Sequence, residues 1–119
     1  MRDHKWLKAW REANIVARGV INLSRAHWRP YGAALIGQLQ RASLSVQLNI
    51  AAGFAYGNSP TYTRFLGIAY GSSVETIEVL ELSADIRIFP PELVSDLLAH
   101  AVAARNYLLA LLKHRRRFS

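Results

Sequence analysis

Four long stretches of this chain repeat apolar residues at alternating steps of three and four, with short clusters of Pro, Gly, Asn and Arg between them. That spacing tracks one face of an α-helix and cannot track one face of a strand, whose side chains alternate every second residue. The first stretch runs from about His4 to Arg25 and carries Trp6, Trp10, Ala13, Ala17, Val20 and Ser24; Pro30 disfavours helix just before itself. The second, from about Tyr31 to Phe54, carries Leu35, Leu39, Ala42, Val46, Asn49 and Gly53, and stops at Ala55-Tyr56-Gly57-Asn58. The third opens with Ser59 as N-cap and Pro60 at the first helical position, and carries Tyr62, Leu66, Ala69, Ser73, Ile77, Leu80 and Ala84 to about Asp85. The fourth begins at Pro91, with Glu92 and Asp96 where negative charge suits the helix dipole. Its stripe is Val94, Leu97, Ala101, Ala104, Leu108 and Leu111, ending near Lys113 ahead of a basic tail, 114–119. Helices of this length on short connections become antiparallel neighbours. The expected fold is all-α: one antiparallel up-down-up-down four-helix bundle domain spanning 1–119.

Composition narrows what such a bundle could do. The 119 residues are enough for one domain, and 51% apolar content supplies a core. The absence of cysteine excludes disulfides, thiolate metal sites and cysteine nucleophiles, and fits a reducing cytoplasm. Residues 1–14 are charged and aromatic with no apolar signal-peptide core, so an unprocessed, soluble, cytoplasmic protein is expected. No membrane span is expected, because Gln38, Arg41, Gln47, Asn49, His100 and Arg105 interrupt the apolar runs well short of the roughly 18 residues a span needs. His4, His27, His100 and His114 fall on separate elements, and the two that could meet, His4 and His114, lie among cations; no metal or cofactor is expected.

Self-association is expected from the second helix. A helix buried on one side should be polar on the other. Between Ala42 and Phe54 this one adds Leu44, Leu48, Ile50, Ala51 and Ala52 to its stripe, and the end of the fourth does the same with Leu108, Leu109, Leu111 and Leu112. Gly67 and Gly71 cost the third helix about 1 kcal/mol each, so a close helix approach is expected there.

Two segments resemble a known family. Gln38, Arg41, Ala42, Ser45, Asn49, Ile50, Ala51 and Gly53 match its first motif. Arg64, Phe65, Leu66, Ile68, Ala69, Gly71, Ser72 and Glu75 match the second. On these residues the chain resembles the bacterial four helix bundle proteins, which include proteins encoded in intervening sequences of large-subunit ribosomal RNA genes. More distantly it is similar to the accessory variability determinant of diversity-generating retroelements. The family often has proline where Gln47 stands and glutamate where Ala52 stands. The resemblance implies a four-helix bundle commonly assembled as a homopentamer, with nucleic-acid or reverse-transcriptase association in some members.

Depth along antiparallel helices pairs polar residues across the bundle. Counted from the loops at a shared end, Arg41 and Glu75 lie at one height, as do Gln38 and Glu78. An Arg41–Glu75 ion pair fixing register is expected, with Asn49 bonding across the same seam. A catalytic role for Glu75 is not expected, because no second acid, nucleophile or metal set converges on it.

The same topology gathers Arg2, Lys5, Lys8, Arg11, Arg64, Lys113, Arg115, Arg116 and Arg117 at one end against only Asp3 and Glu12, an excess equal to the whole net charge of +7. Lys5, Lys8, Arg11, Arg64, Lys113, Arg115, Arg116 and Arg117 are therefore the candidate nucleic-acid contacts. Trp6, Trp10 and Tyr62 lie near that end and are expected mainly in the core. The chain is expected to be a non-enzymatic oligomeric scaffold associating weakly and non-specifically with RNA or DNA; the alternative is an adaptor for an acidic protein such as a nucleic-acid enzyme. An enzyme is the least supported reading, for want of a triad, a phosphate loop or a paired-carboxylate site.

Overall fold

The computed structural model describes residues 3–117, with the side chain of Arg117 outside the described set. Four helices follow in order: α1 (Lys8–His27), α2 (Ala33–Phe54), α3 (Pro60–Asp85) and α4 (Pro91–Arg117). Single 3-10 turns, His4–Trp6 and Pro30–Gly32, precede α1 and α2. There is no strand among the described residues. α1 packs on α2, α2 on α3, α3 on α4 and α4 back on α1, the ring of neighbours that an up-down-up-down bundle requires. The rod measures 45 × 22 × 20 Å.

The core divides into two apolar halves. In one, Val16, Val20, Leu23, Ile36, Leu39, Leu80, Phe89, Val94 and Leu97 pack into one cluster. In the other, Ala9, Ala13, Val46, Ile50, Leu66, Ala69, Leu108 and Leu112 close together. Early α1 meeting late α4, and late α1 meeting early α4, is the antiparallel arrangement read from side chains. Ser43, Ser73 and Thr76 form a polar waist, each hydroxyl donating to a carbonyl of its own helix: Gln40 O at 3.2 Å, Tyr70 O at 2.6 Å and Ser72 O at 2.7 Å. Such local bonds let a hydroxyl sit in a core without an orphaned donor.

Several boundaries differ from the sequence expectation. The first helix does not start at His4: Asp3 Oδ1 accepts from Lys5 N at 3.0 Å and starts a 3-10 turn, which the extended backbone of Leu7 ends. Trp6 sits in that turn at 50% exposure rather than on the core stripe, and Trp10 is half-buried. The fourth helix does not stop at Lys113 but continues through Arg117, where basic residues suit the negative end of its dipole. α2 is continuous through Gln47. The loop 87–90 is part of the core: Phe89 is fully buried and Ile88 nearly so.

α3 ends in a hydrogen-bonded cap, with Arg87 N donating to Ala84 O at 3.1 Å and Ile88 N to Ser83 O at 2.9 Å. This pattern places one residue in left-handed geometry, here Arg87 at φ 59°. The α2–α3 turn solves the same problem with Gly57 at φ 63°.

The glycine expectation is also corrected. Nothing lies within 4 Å of where a Cβ would stand on Gly67 or Gly71; both are exposed. The tightest approaches are at Gly53, where a Cβ would come 2.7 Å from Phe65 Cβ, and at Gly19, where it would meet the Leu97 side chain; Gly32 follows, against Ile88.

Candidate nucleic-acid interface

The polar motif residues are a seam between α2 and α3. On α2, Gln38, Arg41, Ser45 and Asn49 recur at helical spacing, and Ser72 and Glu75 face them from α3. Arg41 Nη1 donates to Gln38 Oε1 at 2.7 Å, and Gln38 Nε2 donates to Glu75 Oε2. The expected direct Arg41–Glu75 ion pair is thus replaced by a relay through Gln38, whose amide both accepts and donates. The expected Gln38–Glu78 pairing is absent, and Glu78 is exposed one turn away. Asn49 does not cross the seam either: its Nδ2 donates to Ser45 O at 2.8 Å and to Ser45 Oγ at 3.0 Å on its own helix. The crossing is made by Ser45 Oγ and Ser72 Oγ at 2.8 Å. The reason is reach: two short hydroxyls meet where the helices approach closely, while the longer amide folds back onto its own turn.

The basic end is real in position but does not form one patch. The start of α1, the α2–α3 turn and the end of α4 share it. Arg115 points inward there: Nε donates to Thr63 Oγ1 at 2.6 Å, Nη2 to Ser59 O at 2.7 Å and Nη1 to Asn58 Oδ1 at 3.1 Å. Its guanidinium carbon lies 4.5 Å over the Tyr62 ring. A planar fork matching three acceptors and a ring face is the geometry arginine provides and lysine does not. Arg115, expected among the nucleic-acid contacts, is therefore a clamp holding α4 to the α2–α3 turn. Burial raises the Tyr62 phenol above its ordinary range, and the Arg115 charge pulls it partly back. Arg64, Lys113 and Arg116 are exposed at the same end; Arg2 and the side chain of Arg117 lie outside the described residues.

The remaining cations surround a cleft between the chain's beginning and the end of α4. Trp6, Leu7, Lys8, Ala9, Arg11, Tyr107, Ala110, Leu111 and His114 line a volume of about 380 Å³. Arg11 Nε donates to Lys5 O at 3.1 Å, which fixes the guanidinium base and ties the Lys5 turn to α1. Lys8 Nζ lies 5.8 Å over the Tyr107 ring. No carboxylate is among the described residues lining the cleft. Asp3 is engaged as the cap of the 3-10 turn, and Glu12 Oε2 meets His100 Nδ1 at 2.5 Å, joining α1 to α4. His4, which packs edge-on against Trp10 at 5.4 Å, is not in the cleft with His114. Tyr107 is the cleft residue that the sequence reading missed. It falls one position off the α4 stripe, and matching its depth to Lys8 across the antiparallel pair is the signal that would have found it.

A small all-α bundle, stitched between α2 and α3 by a polar seam and basic at one end, is the class of protein these features define. The chain belongs to the 23S rRNA-intervening sequence protein family, whose model matches residues 5–110. The match takes in both motif segments and the cleft residues up to Ala110, and leaves the clamp residue Arg115 beyond it. No curated protein matches the chain. No helix among the described residues is long and apolar enough to cross a membrane.

Proposed function

We propose that the chain is a non-enzymatic, self-associating scaffold whose basic pole holds nucleic acid weakly and without reading base sequence. The carrying observation is the convergence of Lys8 and Arg11 on one cleft whose described lining holds no acid, with Lys5 tied to Arg11 through its carbonyl and Lys113, Arg116 and Arg64 exposed at the same end. Exposed cations of this kind meet phosphates and release counterions; they carry no base-edge code. The test is a mobility shift across a salt series. Binding should be lost at moderate salt, and the joint Lys8→Ala and Arg11→Ala change should flatten the salt slope by about 1.5. No shift at the lowest salt would overturn the reading; an acidic protein captured by the same pole, without nucleic acid, would favour an adaptor.

The self-association part rests on the outer face of α2 and α3. Leu44, Leu48, Ile68 and Val74 are exposed there, Leu48 at 59%, beside the open flanks of Gly67 and Gly71. Large exposed apolar residues grouped on one face mark an interaction surface. A second copy is the occupant we propose, in the homopentamer that the family resemblance implies. Light scattering should give a mass several times 13.4 kDa, and Leu48→Glu should reduce it to that of one chain. A wild-type mass of one chain would overturn this part alone.

A further inference from the structure

We infer that the cleft between the 3-10 turn and α4 takes one unstacked base of a single-stranded nucleic acid, with its flanking phosphates on Lys8 and Arg11; this rests on the basic-pole reading above. Size is the first argument. A cleft of about 380 Å³ is large enough for a nucleotide, since small-ligand sites run from roughly 300 to 1,000 Å³.

Chemistry is the second. Trp6 comes from the turn and Tyr107 from α4, and both are exposed, at 50% and 39%. Leu7, Ala110 and Leu111 add apolar surface to the same lining. Aromatic rings with apolar neighbours suit the face of a base, and every base has such a face, so the contact tolerates any sequence. Lys8 Nζ stands 5.8 Å from the centre of the Tyr107 ring, so a base that stacks on that ring displaces the ammonium to a flanking phosphate. Arg11 is held by its Nε alone, and its Nη groups bond to nothing among the described residues.

Extent is the third. A free mononucleotide would need cations only at the cleft itself. Here the exposed Lys5, whose carbonyl holds Arg11, adds a cation outside the lining residues, and a strand with more than one phosphate can use it. Duplex bases are stacked and cannot enter without being extruded, so the cleft selects single strands.

Another pocket serves as an internal control. The cleft at the opposite pole also has cations and an aromatic ring, with Arg29, Arg87 and Tyr31, but Glu92 stands in its wall. A carboxylate there repels phosphate.

The experiment uses the full chain and three probes of about 12 nucleotides, a length one small domain can cover: oligouridine, oligothymidine and a mixed-sequence duplex. Tyr107→Ala and Trp6→Ala should each weaken the single strands about five- to a hundredfold and change duplex affinity less than about twofold. Tyr31→Ala should change none of them. In the Trp10→Phe, Trp28→Phe protein, oligouridine should quench the emission of Trp6, a readout that needs no change in the cleft. Equal binding of single strands and duplex with neutral Tyr107→Ala, or no quenching on saturation, overturns the cleft while leaving the basic pole standing. An equal loss in Tyr31→Ala also overturns it. Failure of all three probes to bind overturns both.

Discussion

Arg115 shows how one side chain can leave the class its composition assigns it. In the run Arg115-Arg116-Arg117 the three arginines are indistinguishable by type, yet Arg115 has three hydrogen-bond acceptors and a tyrosine ring beneath it. Arg115→Ala should cost about 1–3 kcal/mol, because it leaves half-buried acceptors without a donor. Arg115→Lys should recover less than half of that, since a point charge cannot fork. Thermal denaturation checks both, each kcal/mol being worth about 4 °C in a domain of this size. Tyr62 gives a pH signature beside it. Its folded-state pKa is raised above 10.0, chiefly by burial, so the unfolded chain loses the phenol proton first. The stability this contributes is whole below pH of about 10 and falls as pH rises through the folded value. The urea midpoints of the wild type and Tyr62→Phe should therefore run parallel below that pH, and the wild-type midpoint should fall relative to the variant's above it.

Between elements, α2 and α3 are held at two kinds of contact. The Gln38–Glu75 and Ser45–Ser72 bonds set their register, and Gly53 sets their spacing. Gln38→Ala should destabilise by about 1–2 kcal/mol, as it strands a half-buried carboxylate. Arg41→Ala should stay within about 0.5 kcal/mol, because Arg41 is exposed and Gln38 keeps its bond to Glu75. A direct Arg41–Glu75 pair would reverse that order in equilibrium denaturation. The glycines separate in the same assay. Alanine gains about 1 kcal/mol in helix propensity everywhere, but at Gly53 it must displace Phe65 Cβ, an atom fixed to its backbone. Gly53→Ala should lose about 1–2 kcal/mol net, whereas Gly67→Ala, facing open space, should gain about 0.5–1 kcal/mol.

Over the whole molecule the two poles are built differently. At one, Phe89 plugs the core and the cap at Arg87 turns the chain; at the other, a cleft lined by Trp6, Lys8, Arg11 and Tyr107 lies between the 3-10 turn and the end of α4. The left-handed Arg87 is a local strain of about 1 kcal/mol, tolerated because its neighbours Ile88 and Phe89 are buried. Arg87→Gly should raise the melting temperature by a few degrees without touching the basic end. Phe89→Ala should lower it far more, a cost of about 3–5 kcal/mol for an emptied aromatic site.

The order of the helices, their antiparallel closure and the end to which the cations go were legible in the sequence, because three-four periodicity and strong turn residues are local signals. Ser59, Pro60, Gly57 and Pro91 act within a few residues of themselves, so no distant contact can cancel them. What each polar side chain does was left to the tertiary structure. Arg41 relays through Gln38 to Glu75 and Arg115 folds onto the α2–α3 turn, contacts remote in sequence; Asn49 turns back to Ser45 on its own helix, and Gly67 meets no neighbour within the chain. Periodicity fixes which way a residue points to within a sector of the helix; the atoms waiting in that direction depend on the approach of another helix, to within an ångström. Tyr107 became part of a cleft only because α4 runs antiparallel beside the start of α1.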